Sequence, residues 1–121
     1  MKTIRYYIDK SELLEQTAHV TGWALSLTDA PLTIQVREKG GSVPVTAVIR
    51  SLSRPDASRA VFGDERRPDC GFDIKFTCEP AKRYELLFEN GSAKVRIPVS
   101  EAALERETGR RYLPLRRIVR M

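Results

Sequence analysis

The stretch from Tyr84 to Ile97 reads YELLFENGSAKVRI, and it decides the fold class. Apolar and polar residues largely alternate on both sides of Asn90-Gly91, a dipeptide typical of type I′ hairpin turns. A hairpin with this turn has one apolar face, because it pairs Phe88 with Ala93, Leu86 with Val95 and Tyr84 with Ile97. The opposite face sets Glu85 against Arg96, an attractive pair across the strands.

A second hairpin is predicted around Gly40-Gly41. Its register again gives one apolar face, with Val36 opposite Val45, Ile34 opposite Ala47 and Leu32 opposite Ile49. Residues 3–9, 18–27 and 70–78 are three further strands. Seven short strands in about 100 residues predict an all-β fold, an immunoglobulin-like antiparallel β-sandwich with a short C-terminal helix, and leave a barrel as the alternative. We place the sandwich in residues 1–100.

The polar connection at residues 53–69 is long for a compact domain, so it is either functional or a crossover between sheets. Asp56 is a candidate N-cap for a short helix over residues 57–61. Arg54 and Asp56 flank Pro55, and two interpretations stay open. They bind a polar ligand by bidentate hydrogen bonds, or they pair with each other and cap backbone groups.

The C-terminal tail, residues 101–121, is predicted to be a short helix and a basic linker toward a downstream domain missing from this chain. Ser100 is a candidate N-cap for a helix over residues 101–108, and Gly109 would end it. Residues 110–121 carry apolar side chains but have no core left to enter. Leu115, Ile118 and Val119 have helical spacing, so a helix there would be amphipathic. The tail could contact an acidic partner or a membrane surface through Arg110, Arg111, Arg116, Arg117 and Arg120.

The net charge is concentrated in the tail. The chain has 21 Lys and Arg against 16 Asp and Glu, and six arginines against one acid fall after residue 105. The remaining body is balanced, so we expect no nucleic-acid partner. The sequence has neither a secretory signal nor an apolar run long enough to span a membrane, which predicts a cytoplasmic location.

We expect no catalytic site, no metal and no cofactor in this chain. His19 is the only histidine, and a hydrolase would need it buried beside a carboxylate and a hydroxyl. The alternation around it predicts a half-exposed strand residue instead. Cys70 and Cys78 lie in one strand about 26 Å apart, too far to form a disulfide. Four acids lie close together in the sequence: Asp64, Glu65, Asp69 and Asp73. Basic residues alternate with them, which indicates ion pairs rather than a metal site.

Trp23 has two interpretations. A lone tryptophan in a β-sandwich is usually the centre of the core. If it were exposed, its flat face could stack against a sugar ring. We favour the core position and keep the platform as the alternative.

Four short motifs follow one another along residues 3–99: Gly22-Trp23-Ala24, Arg54-Pro55-Asp56-Ala57, Cys70-Gly71-Phe72-Asp73-Ile74 and Tyr84-Glu85-Leu86-Leu87-Phe88. Their layout resembles the β-sandwich module found ahead of family 2 glycosyltransferase domains in some bacteria. Ala57 stands where that module usually has valine.

The resemblance implies a non-catalytic accessory domain of a bacterial glycosyltransferase in cell-surface polysaccharide synthesis. Such a domain would position the downstream catalytic domain of the same chain or the acceptor glycan. Trp23, Arg54 and Asp56 are then the ligand-binding residues, and the parent protein could associate with the membrane. The alternative is a protein-interaction β-sandwich whose basic tail docks an acidic partner or a membrane surface.

Overall fold

The computed structural model describes residues 3–41, 43–80, 82–91, 93–101 and 113–118. This part of the chain is mostly β, with eight strands and one short helix. Their order is β1 (Ile4–Leu14), β2 (Thr17–Ser26), β3 (Thr33–Glu38), β4 (Ala47–Leu52), α1 (Pro55–Phe62), β5 (Gly71–Thr77), β6 (Tyr84–Asn90), β7 (Ala93–Glu101) and β8 (Leu113–Ile118).

The strands form two antiparallel sheets that face each other across the core. The first sheet has the strand order β1-β2-β5-β4, and the second has the strand order β3-β6-β7. β8 runs parallel to both β7 and β1 and joins the two sheets along one side. The seven-strand prediction therefore lacks one strand.

Alternating side chains of β5 show how the sequence builds the core. Phe72, Ile74 and Phe76 are buried, whereas Lys75 and Thr77 are exposed. Across the core the ring of Phe72 lies 5.6 Å from that of Phe88 on β6. Burying aromatic side chains of this size is a large apolar contribution to stability, and tilted ring pairs add to it. The predicted alternation on this strand is confirmed.

The β6–β7 hairpin forms with its apolar face as predicted but with the register displaced by two residues. Phe88 pairs with Val95 and Asn90 pairs with Ala93. The displacement arises because the Asn90 side chain is buried and donates hydrogen bonds to the Thr3 carbonyl at 3.1 Å and the Ser26 hydroxyl at 2.9 Å. Asn90 is thus the last residue of β6, and the turn starts at Gly91, whose φ of 61° suits glycine. A two-residue displacement keeps each side chain on its face.

The predicted β3–β4 hairpin is correct only next to its turn. Arg37 and Pro44 form an isolated bridge, and the Val45 N–H donates to the Val36 carbonyl at 2.7 Å. β3 then pairs with β6 in one sheet, and β4 pairs with β5 in the other. The predicted pairs of Ile34 with Ala47 and Leu32 with Ile49 are therefore wrong.

The tail differs most from the prediction. Ser100 is a residue of β7 and not an N-cap, and residues 113–118 of the predicted basic linker form the strand β8. Leu115 on β8 is 3% exposed and belongs to the core, so the expectation that the tail had no core to enter is wrong. Backbone pairing places Arg116 opposite Glu12 and Arg117 opposite Leu13. The other tail residues named above, Arg110, Arg111, Val119 and Arg120, and the rest of the predicted helix at 102–108, lie outside the described residues.

In the described part of the chain, no helix has both the length and the apolar character that crossing a bilayer would require.

Candidate functional site

The connection between β4 and β5 begins with an arginine that binds two carboxylates. α1 starts at Pro55 with Arg54 in the N-cap position, so Asp56 lies in the first helical turn and its predicted N-cap role is wrong. Arg54 Nε donates to Asp56 Oδ1 at 3.1 Å, and Nη2 donates to Oδ2 at 3.0 Å. Its Nη1 donates to Asp9 Oδ2 at 2.5 Å. The pairing of Arg54 with Asp56 is confirmed, and three of the five guanidinium donors are bound to carboxylates of the protein.

We call the set of Arg54, Asp9 and Asp56 the Arg54 clamp. Its hydrogen bonds shift the pKa values of Arg54 and Asp56. The hydrogen bonds from Arg54 hold the pKa of the Asp56 carboxyl below its usual range. The hydrogen bonds to Asp56 and then Asp9 raise the pKa of Arg54. Asp9 sits at a bulge of β1, where the pairing with β2 shifts between Ile8 and Lys10. The clamp thus ties the connection to a strand on the far side of the first sheet.

Trp23 lies on the outer face of the first sheet and is half-buried, so the core prediction is wrong. Its neighbour Gly22 faces inward, because an added Cβ there would lie 3.0 Å from the Phe72 ring and 2.1 Å from the Tyr7 carbonyl oxygen. In the register Trp23 lies between Tyr7 on β1 and Gly71 on β5. A Cβ added to Gly71 would lie 2.6 Å from Arg54 Cγ, so the Arg54 side chain runs over Gly71 on the same outer face.

The structure therefore brings Trp23, Arg54 and Asp56 to one side of the first sheet, and the two charged residues neutralise each other there. A ligand-binding role for these three residues stays a prediction.

A cleft of about 570 Å³ opens on the other side of the connection, between β3 and β4. We call it the seam cleft. It exists because these strands part after Val36 and Val45, leaving a gap between the two sheets. Its apolar floor includes Ala24, Leu32, Ile34, Ile49 and Phe72. Its polar rim includes Arg50, Ser51, Arg66, Arg67 and Asp69.

Two rim arginines are already engaged by the protein. Arg67 donates to the carbonyl oxygens of Ser26 and Thr28, each at 3.0 Å. Arg66 donates two hydrogen bonds to the Asp64 carboxylate, from Nε to Oδ1 at 2.9 Å and from Nη2 to Oδ2 at 2.8 Å. These hydrogen bonds lower the pKa of Asp64 to about 2. Both guanidinium groups also lie over the Phe62 ring, at 5.0 Å and 5.8 Å from its centroid. These contacts give the connection a defined shape along one wall of the cleft.

Arg50 is different, because it makes no hydrogen bond or ion pair with any described residue. It is exposed and lies on β4 between Ile49 and Ser51, at the mouth of the cleft. Its partner across the β4–β5 ladder is Asp73, so its side chain lies on the outer face of the first sheet, whereas Ile49 and Ser51 face the cleft. Asp69, also exposed at the rim, offers a carboxylate acceptor nearby.

The remaining acid and histidine positions form ion pairs. His19 is half-exposed as predicted, with 26% of its side chain accessible, and its Nε2 lies 2.7 Å from Asp73 Oδ1. Within the described ranges no hydroxyl is hydrogen-bonded to this ring, so the arrangement a hydrolase requires is not formed. Glu65 pairs with Arg59 at 2.8 Å. A search of the described side chains finds no group of three or more potential metal ligands.

The two cysteines flank β5 and are not joined by a disulfide. Cys78 is buried, and Cys70 is half-buried with its thiol 3.5 Å from the Arg54 carbonyl oxygen. Burial raises the pKa of the Cys70 thiol, which favours its protonated form at neutral pH.

The sequence prediction missed the seam cleft because it assigned Leu32, Ile34 and Ile49 to one paired hairpin. A signal was nevertheless present, since the long connection was expected to be functional or to cross between sheets. The connection lines the cleft. It joins β4 to β5 within the first sheet, so it is not a crossover between sheets.

Comparison of the chain with protein-family models, with curated proteins and with solved structures finds no match.

Proposed function

We propose that this chain is a non-catalytic accessory domain of a bacterial glycosyltransferase in cell-surface polysaccharide synthesis, and that it holds the acceptor glycan in the seam cleft. The seam cleft is the observation that carries the glycan-holding role. The glycosyltransferase context rests on the sequence resemblance, which assigns catalysis to another domain of the parent protein.

The chemistry of the cleft suits a saccharide. A pyranose ring has apolar C–H faces, which the floor of Leu32, Ile34 and Ile49 can bury, and hydroxyls around its edge, which need donors and acceptors. Ser51 supplies a hydroxyl and Asp69 supplies a carboxylate at the rim. A volume of about 570 Å³ falls in the range of small-molecule sites and matches one or two sugar rings.

We further propose that the domain belongs to the immunoglobulin-like class. The sheet orders β1-β2-β5-β4 and β3-β6-β7 correspond to the ABED and CFG sheets of the seven-stranded immunoglobulin sandwich. β8 would then be an addition to that plan.

An NMR titration of the isotopically labelled chain with surface-polysaccharide oligosaccharides tests the glycan-holding role. We expect amide shifts in β3, β4 and residues 66–69. Ile49→Ser should weaken binding, because it removes apolar floor, whereas Val48→Ser is a matched control. Val48 is the neighbouring apolar residue of β4 and does not line the cleft.

No shift at millimolar saccharide would contradict glycan holding by this domain. Equal weakening by the two serine variants would place the sugar outside the cleft.

A further inference from the structure

The outer edge of β4 is an open strand edge. Within the described part of the chain, β4 pairs with β5 on one side and, beyond the bridge at Pro44, with nothing on the other. Three of its apolar side chains are well exposed: Val48 at 56%, Ile49 at 40% and Leu52 at 41%. Unpaired backbone groups flanked by exposed apolar side chains are a template for pairing with another strand.

The opposite side of the sandwich shows how such a gap is closed. There β8 lies between the two sheets and pairs in parallel with β7 at Val99 and with β1 at Glu12. Its Leu115 enters the core. The gap beside β4 separates the same two sheets and holds the seam cleft. One seam of this sandwich is filled by a strand, and the other is open.

We propose that the free edge of β4 binds an extended peptide segment of a partner protein, in which an acidic residue is flanked by apolar residues. This binding would be strand addition, with backbone hydrogen bonds supplying affinity and side chains supplying selectivity. It goes beyond the glycan-holding role, because it uses the backbone edge of β4 and recognises a polypeptide.

Charge and alternation define the peptide. Arg50 lies in the middle of β4, exposed and without an ion pair among the described residues. A carboxylate on the added strand, opposite Arg50, would meet a guanidinium group whose cross-strand neighbour on β5, Asp73, is already paired with His19. The two neighbours of that acid point to the other face of the strand, toward Ile49 and the cleft, where apolar side chains are favoured.

The probe is the capped heptapeptide Ac-Thr-Thr-Val-Glu-Ile-Thr-Thr-NH2, titrated into the labelled chain and followed by NMR. We expect amide shifts concentrated on residues 47–52. A second peptide, N-methylated at Val, Glu and Ile, lacks the donors of both strand edges and should bind at least tenfold more weakly. A third, with Lys replacing Glu, should also bind more weakly, because it sets two positive charges opposite each other.

The protein variant is Arg50→Gln, with Arg5→Gln as its control. Arg5 is likewise an exposed strand arginine of the first sheet without an ion pair among the described residues. We expect Arg50→Gln to weaken binding of the Glu peptide about two- to fivefold, as for an exposed ion pair, and Arg5→Gln to leave it unchanged.

Shifts outside β4, no shifts at millimolar peptide, equal binding of the N-methylated peptide, or equal effects of the two arginine variants would each overturn the proposal. A negative result here leaves the glycan titration unaffected, because that experiment uses a different ligand and different variants.

Discussion

Val45 donates its backbone N–H to the Val36 carbonyl at 2.7 Å, and beyond this pair β3 and β4 enter different sheets. Leu32 and Ile49, which a continued hairpin would have paired, instead both line the seam cleft. The candidate glycan site and the free edge of β4 both arise from this separation. The apolar side chains that line the gap are where a ligand finds surface to bury.

The Arg54 clamp should stabilise the fold rather than serve binding. We expect Arg54→Ala to lower the free energy of unfolding by about 1–2 kcal/mol, because it removes a bidentate pair and a second carboxylate contact at once. Arg66→Ala is the control and should cost less, since the Arg66 side chain is more exposed than that of Arg54, 57% against 28%, and binds one carboxylate instead of two. Urea denaturation measures both. Equal stability of Arg54→Ala and the parent chain would mean that the clamp does not anchor the connection.

Acid should weaken the fold through the carboxylates that arginines hold. The pKa of Asp64 is lowered to about 2 by Arg66, and a group with a lowered pKa stabilises the folded state above its unfolded pKa. That stability is present above about pH 4 and is lost as the pH falls through about 2. NMR titration of the Asp64 carboxyl should give its midpoint near pH 2, and in Arg66→Gln the midpoint should move toward the ordinary value. An unchanged midpoint in the variant would contradict the assigned cause.

Most strands were predicted from the local sequence pattern, whereas hairpin register and strand pairing depend on contacts between residues that are distant in the sequence. Alternation on β5 and on the β6–β7 hairpin was sufficient to assign inward and outward faces, because that period is a local property. The hairpin register was displaced by two residues because the Asn90 side chain binds Thr3, which lies 87 residues away along the chain. Neither that partner nor the separation of β3 from β4 is visible in the neighbouring sequence.

Leu115 should be a core residue. Leu115→Ala should lower the free energy of unfolding by about 2–5 kcal/mol, the usual cost of a cavity left by a buried leucine. Pro114→Ala, at the exposed preceding position, is the control and should change stability little. Thermal and urea unfolding measure both variants. Equal stability would mean that β8 does not belong to the core.

The structure of the tail is not determined by its own sequence. Leu115 and Ile118 fit a helical spacing, and Leu113 and Leu115 fit the alternation of a strand, so this short arginine-rich segment does not reveal its own structure. Its position is set by tertiary contacts, namely the gap that β1 and β7 leave between the sheets. Similarly, the predicted site residues Arg54 and Asp56 were recognised as a pair, but the third partner Asp9 comes from a bulge that no motif indicated.

Asn90 should contribute more to the free energy of unfolding than a residue next to a turn usually does. Its buried amide donates to Thr3 and Ser26, so Asn90→Ala removes two hydrogen bonds that join β6 to the start of β1 and the end of β2. We expect a loss of about 1–3 kcal/mol in the free energy of unfolding, measured by urea denaturation. Lys94→Ala, at an exposed position of the same hairpin, is the control. Matching losses in the two variants would refute the role given to the amide.

The most direct test of the central claim is to locate a bound saccharide on the protein. Nuclear Overhauser effects between a surface-polysaccharide oligosaccharide and the side-chain methyl groups of the labelled chain report contacts shorter than about 5 Å, the scale of direct packing. Our account predicts such effects at Leu32, Ile34 and Ile49 on the cleft floor. Contacts to the Trp23 indole and Tyr7 on the outer face of the first sheet, with none to the cleft methyl groups, would contradict it.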